Sequence, residues 1–214
     1  MQGLDAADIK SIFHRIKTIV DEQKETLTEL DSIMGDGDLG ITMTRAFSAA
    51  NEEAARSEEN IPGKLFIKLG MIIAKTSPST MGTLLATGFM KGGKAIEQSS
   101  EIGMEELALF FETFVRSIME RGKSVPGNKT IIDTLYPAAL ALRKASDHHE
   151  TLAEGITAAR AAGMQGLEAS TQMKAQYGRA SYYQDKSIGK QDGGATVGTF
   201  IIEGFYLQLV SPSL

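Results

Sequence analysis

The chain contains no cysteine, no long apolar run and no excess of positive charge, and each absence closes off a class of function. Without thiols it has neither a disulfide nor a thiolate metal site, and a cysteine-free chain fits the reducing cytoplasm. No stretch approaches the ~20 consecutive apolar residues that cross a bilayer. The start, Met1-Gln2-Gly3-Leu4-Asp5, is acidic and lacks the basic segment and apolar core of a signal peptide. A net charge of −5 argues against a general binder of nucleic acid or anionic membrane, which needs a basic face. Period-two alternation, a fixed-period repeat and low-complexity tracts are missing as well, so strands and solenoids are not expected. The expectation is a soluble cytoplasmic protein with no nucleic-acid or membrane partner.

What is present is helical periodicity. Ile9, Ile12, Phe13, Ile16 and Val20 recur at offsets of three and four with Lys10, Arg15, Lys17 and Asp21 between them, predicting an amphipathic helix that ends shortly before an aspartate cluster. The same reasoning places helices over 40–55, 62–75, 79–92, 107–118, 130–144, 151–173 and 194–210, with Pro62 suited to a first turn. Eight helices joined by mostly short links leave no obvious boundary, so the chain reads as one all-α domain over 1–214. The widest irregular stretch, 177–192, is too long and too rich in polar groups for a simple connector. It is expected to be a lid over a ligand, hinged at Gly178 and Gly189, with Arg179 as its ionic contact.

The aspartates of Leu30-Asp31-Ser32-Ile33-Met34-Gly35-Asp36-Gly37-Asp38-Leu39-Gly40 are the most informative residues. Asp31, Asp36 and Asp38 repel one another unless a cation sits between them. A hard divalent ion suits three carboxylates without His or Cys, and magnesium in particular keeps coordination positions for water and substrate phosphates. A calcium loop is excluded by counting. With Asp36 first, Phe47 falls where the bidentate Glu belongs; with Asp31 first, Thr42 does.

Three helix starts could hold phosphate. Thr76-Ser77-Pro78-Ser79-Thr80-Met81-Gly82-Thr83, Gly127-Asn128-Lys129-Thr130 and Gln191-Asp192-Gly193-Gly194-Ala195-Thr196 each offer backbone N–H groups at the positive end of a helix with few bulky side chains nearby. Gly122 and Gly127 have P-loop spacing, but Asn128 intervenes before Lys129-Thr130 and a helix, not a strand, precedes Gly122. Nucleotide binding without a P-loop is the reading. Lys129 is left as either a phosphate ligand or a cation solvated at a helix start. His14, His148 and His149 are not placed beside the carboxylates by local geometry and are assigned no chemistry.

Taken together, Leu30-Asp31 with Gly35-Asp36-Gly37-Asp38-Leu39-Gly40, Arg121-Gly122-Lys123 with Gly127-Asn128-Lys129-Thr130 and Asp133, and Gly178-Arg179-Ala180-Ser181-Tyr182 with Ser187-Ile188-Gly189 and Gln191-Asp192 resemble the nucleotide-binding subunit of dihydroxyacetone kinase. The resemblance implies eight antiparallel helices in a barrel with nucleotide and magnesium at one end. It implies two Mg2+ ions held by Asp31, Asp36 and Asp38, and ADP or ATP bordered by Leu39, Gly40, Thr42, Ser79, Thr80, Gly127, Arg179, Asp192, Gly193 and Gly194. The expected activity is phosphoryl transfer to dihydroxyacetone or a related short ketose held by a partner kinase subunit. The donor is either free ATP or a phosphohistidine protein of the phosphotransferase system that rephosphorylates bound ADP. A homodimer is left open, and the alternative is a nucleotide-loaded regulatory module docking on a transcription factor. Leu39 stands where the family usually has His, Ser77-Pro78-Ser79-Thr80-Met81-Gly82 where it has Gly-Gly-Ala-Ser-Gly-Pro, and Asp192-Gly193-Gly194 where it has Asp-Pro-Gly.

Overall fold

A computed structural model describes residues 3–211. Its helices are α1 (Ala6–Glu22), α2 (Lys24–Met34), α3 (Leu39–Arg56), α4 (Pro62–Thr76), α5 (Thr80–Ala95), α6 (Met104–Gly122), α7 (Ile132–Asp147), α8 (Leu152–Ser170) and α9 (Gly193–Val210). A 3-10 segment, Arg179–Ser187, lies between the last two. Among the described residues the extended backbone pairs only at an isolated antiparallel bridge between Leu4 and Ile102. No helix of the described residues is long and apolar enough to cross a membrane.

Local chemistry accounts for most helix ends. The Asp5 carboxylate accepts from the amides of Ala7 and Asp8 while Asp8 returns a bond to the Asp5 amide, a reciprocal cap that starts α1. Pro62 opens α4, where its missing N–H is not needed. Thr151 and Glu154 cap α8 in the same reciprocal way as Asp5 and Asp8. The predicted first helix is in fact two. It breaks at Gln23 (φ −101°, ψ 12°), a position with neither Pro nor Gly, so no local signal marks the break. Two further boundaries differ from expectation. α7 begins at Ile132 rather than 130 because the Asp133 carboxylate takes up the amides of Gly127 and Thr130 and holds them in a turn. α8 stops at Ser170, short of 173, where three successive turn bonds follow.

The helices close into an eight-membered ring. α1, α3, α4, α5, α6, α7, α8 and α9 each pack on the next, α9 closes on α1, and α2 extends α1 over the start of α3. Neighbours joined by short links run antiparallel, so every second link falls at the same end of the barrel. The links α2–α3, α4–α5, α6–α7 and α8–α9 therefore share one end. The opposite half of the interior is aromatic. Phe13, Phe47, Phe66, Phe89, Phe110, Phe111, Phe114 and Phe205 are fully buried. Phe66 and Phe110 stand 4.3 Å apart, and Phe111 meets Phe205 edge-on at 5.0 Å. Each buried side chain of this kind contributes about 1.5–3 kcal/mol. The ring is thus solid at one end and open at the other.

Candidate functional site

The open end holds a cleft of about 980 Å3 into which all four links contribute. From α2 and α3 come Asp31, Asp36, Asp38, Leu39 and Thr42. Ser79 and Thr80 come from the start of α5, and Asp192, Gly193 and Gly194 from the start of α9. Arg121, Gly122 and Ser124 line it from the α6–α7 link, and Tyr177, Gly178 and Arg179 from the long loop before α9. The up-and-down topology brings these segments together although they lie far apart in the chain.

The three aspartates converge as their spacing suggested. One carboxylate oxygen of each lies within 4.8 Å of the others. Asp31 sits on the last turn of α2, and its Oδ2 accepts from the amides of Asp38 at 2.9 Å and Leu39 at 3.3 Å, which pins the start of α3 against the end of α2. Between them the chain reverses through Gly37, whose φ of +73° and 2.6 Å approach of Ser32 Oγ to the Cβ position exclude a side chain. Partial burial and the charges of Asp36 and Asp31 push the Asp38 carboxyl above its usual range, against a lowering by Arg179. A set of closely placed oxygen donors whose charges oppose one another fits a hard divalent cation. Arg179 reaches across from the loop, its Nη2 2.6 Å from Asp36 Oδ2.

Two helix starts face the same space. Ser79 caps α5, its Oγ accepting from the Gly82 amide at 3.0 Å, and Ser77 Oγ donates to the Thr42 carbonyl, tying this link to α3. Asp192 caps α9 through the Ala195 amide at 2.7 Å. Burial raises its carboxyl to about 6, although the Ala195 amide and the Lys129 ammonium favour its charged form. Leu39 packs where Gly193 leaves room: a Cβ there would lie 2.6 Å from Leu39 Cδ2. The apolar side chain after the last aspartate therefore abuts the start of α9.

Two of the expected nucleotide contacts lie elsewhere. Gly40 is buried with its Cβ position 2.2 Å from the Lys24 carbonyl oxygen, so it permits α3 to cross α2 and does not line the cleft. Gly127 is absent from the lining, and its amide is already given to Asp133 at 2.5 Å. The third proposed phosphate cradle is closed in the same way, since Thr130 also donates to Asp133. Lys129 follows neither expectation: it is 2% exposed, with its ammonium bonded to backbone carbonyls. Sequence reasoning missed Tyr177, Met81, Met34 and Ser124 as lining residues, and nothing in their local pattern distinguishes them from ordinary core or loop residues. His14 lines a small groove between α1 and α3, and His148 stands 3.9 Å from Glu150, both remote in sequence from the carboxylates.

The profile of the DAK2 domain matches residues 33–207. The ADP-binding subunit DhaL of the phosphoenolpyruvate-dependent dihydroxyacetone kinase of Escherichia coli K12 is 30% identical over 94% of this chain and 96% of its own. Its counterpart from kinase 1 of Listeria innocua is 35% identical over 82% and 83%. The chain therefore belongs to the DAK2-domain family and, within it, to the DhaL-type subunits of dihydroxyacetone kinases. The fold agrees with that of the dihydroxyacetone kinase of C. freundii, crystallised in complex with AMP-PNP and Mg2+, with a TM-score of 0.73 at 22% identity over 94% of this chain. This chain spans about a third of that kinase, 34% of its length.

Proposed function

We propose that this chain, as one domain, is the ADP- or ATP-binding subunit of a multi-subunit cytoplasmic kinase that phosphorylates dihydroxyacetone or a related short ketose. The observation that carries the reading is the convergence of Asp31, Asp36 and Asp38 at the wall of a cleft that also receives the starts of α5 and α9. Carboxylates and helix N-termini attract opposite partners. A cation between the aspartates and phosphates against the helix ends satisfy both at once.

In this arrangement Asp31, Asp36 and Asp38 hold two magnesium ions, which neutralise charge on the phosphates. Thr80 and the starts of α5 and α9 orient the phosphate oxygens through their N–H and hydroxyl groups, and Arg179 adds a positive charge from the loop. The loop over 177–192 shuts water out of the cleft. No side chain of the cleft is placed as a nucleophile, so the work is positioning and charge neutralisation, as phosphoryl transfer requires. The acceptor hydroxyl comes from a ketose bound by a partner subunit, attacks the terminal phosphorus and displaces the nucleotide diphosphate. The names of the Escherichia coli and Listeria relatives describe ADP-binding subunits of phosphoenolpyruvate-dependent kinases. They support a cycle in which ADP stays bound and a phosphohistidine protein of the phosphotransferase system restores the terminal phosphoryl group.

Calorimetry with ADP tests the site. Binding that requires magnesium and is lost in Asp36→Asn is expected, and equal affinity in the presence of EDTA would refute the metal-bridged arrangement. Turnover of dihydroxyacetone should appear only when a ketose-binding subunit and a phosphoryl donor are added.

A further inference from the structure

Lys129 is a buried cation that the proposed chemistry does not use. It occupies the left-handed region at φ 58°, which a residue with a Cβ enters only when its surroundings compel it. The compulsion is visible. Asp133 accepts from Gly127 at 2.5 Å and Thr130 at 2.7 Å, and Asn128 Oδ1 accepts from the Val125 amide at 2.9 Å, so the turn before α7 is bonded on both sides of Lys129. The side chain is thereby driven inward. Its Nζ donates to the carbonyls of Ser170 at 2.7 Å, Thr171 at 3.4 Å and Lys190 at 2.5 Å. Three ammonium protons meet three carbonyl oxygens, and those oxygens belong to the two roots of the long loop: the end of α8 and the residues just before α9.

We infer that Lys129 is a positioning residue that clamps the two roots of the 171–192 loop together and so sets where Arg179 and the start of α9 stand in the cleft. The inference rests on the nucleotide reading of that cleft. The clamp has few other bonds to share its task. Gly189 donates to the Thr171 carbonyl at 2.7 Å and Ser187 Oγ accepts from the Ala175 amide at 2.9 Å, while the loop beyond them is open, with Tyr182 85% exposed. Arg179 projects from this span to Asp36, and Asp192 ends it as the cap of α9. A buried ammonium bonded only to carbonyls is a poor source of stability, and its use is to specify one arrangement of the segments it joins.

The test uses the full chain as wild type, Lys129→Met, Arg179→Ala and the double variant. Trypsin cleavage at Arg179, Lys186 and Lys190 is followed without nucleotide, and release of a fluorescent ADP analogue is followed with magnesium. Lys129→Met should speed cleavage within the loop in the three Lys129-containing comparisons and release of the analogue about tenfold, with helical content and association rate retained. In the Arg179→Ala background the added effect on release should fall below about twofold, because both substitutions act through one loop. Wild-type loop cleavage in Lys129→Met, or an effect on release that multiplies undiminished with that of Arg179→Ala, overturns the clamp. Should Lys129→Met fail to fold, hydrogen exchange of the wild type decides: Ala175 and Gly189 amides that exchange as fast as an open loop overturn it, and protection like that of α8 supports it. Failure of the wild type to bind the analogue refutes the nucleotide reading and leaves the nucleotide-free cleavage result standing on its own.

Discussion

At Asp38, burial and the charges of Asp36 and Asp31 work against ionisation, so the site holds a carboxylate whose charge is unfavourable in the folded protein. A folded-state pKa above the unfolded one lowers stability as pH rises between the two values, after which the deficit stays. Asp38→Asn removes that deficit and one metal ligand together. Thermal melts in EDTA at pH 7.5 should show the variant melting higher than wild type, with the advantage shrinking as the pH falls toward 4, while calorimetry shows Mg-ADP affinity reduced at least about tenfold. Asp192 carries the same sign with a different consequence. Its carboxyl, raised from 3.8 to about 6, makes stability decline as pH rises through that interval. Asn caps a helix about as well as Asp, so Asp192→Asn should keep α9 intact and flatten this part of the pH profile in urea melts, whereas Asp192→Ala loses the cap at about 1 kcal/mol.

Among the elements, α6 and α9 bear the aromatic half of the ring while α2, α3, α5 and the 171–192 loop bear the cleft. Phe110 touches Phe66, Phe89, Phe111, Phe114 and Phe205, so it joins four helices at the closed end. Phe110→Ala should cost about 3–5 kcal/mol in a denaturant titration. Nucleotide affinity measured well below the melting transition should change little, because no phenylalanine of this cluster lines the cleft. An equal loss of ADP affinity would mean that the two ends of the barrel are mechanically coupled. Helix periodicity was legible for α1 and for α3 to α9, where apolar residues at offsets of three and four face one interior. The break at Gln23 was not, because the apolar pattern runs through it and only the crossing of α2 over Gly40 requires it.

For the molecule as a whole, a ligand that binds only the folded chain stabilises it by about 2.7 kcal/mol at a hundredfold excess over Kd. In a chain of this size that corresponds to a rise in Tm of roughly 5–10 °C. Mg-ADP should produce the rise in a melting experiment and EDTA should reverse it; an equal rise with ADP in EDTA would place the nucleotide elsewhere. The cleft is assembled only at this scale. Its walls come from four links, each separated from the next by two helices, and the antiparallel ring sets them at one end.

The sequence by itself determined the helices, the absence of thiol chemistry and the metal-binding character of Asp31, Asp36 and Asp38, because these depend on residue type and spacing within a few turns of chain. Tertiary structure decided which helix starts face the aspartates. Gly127 and Lys129 look like a phosphate cradle in one dimension, yet Asp133 consumes the amides of that turn and the carbonyls of Ser170, Thr171 and Lys190 consume the ammonium. Partners more than forty residues away cannot be read from local pattern. A donor near a helix start is available to a ligand only if the fold has left it unbonded.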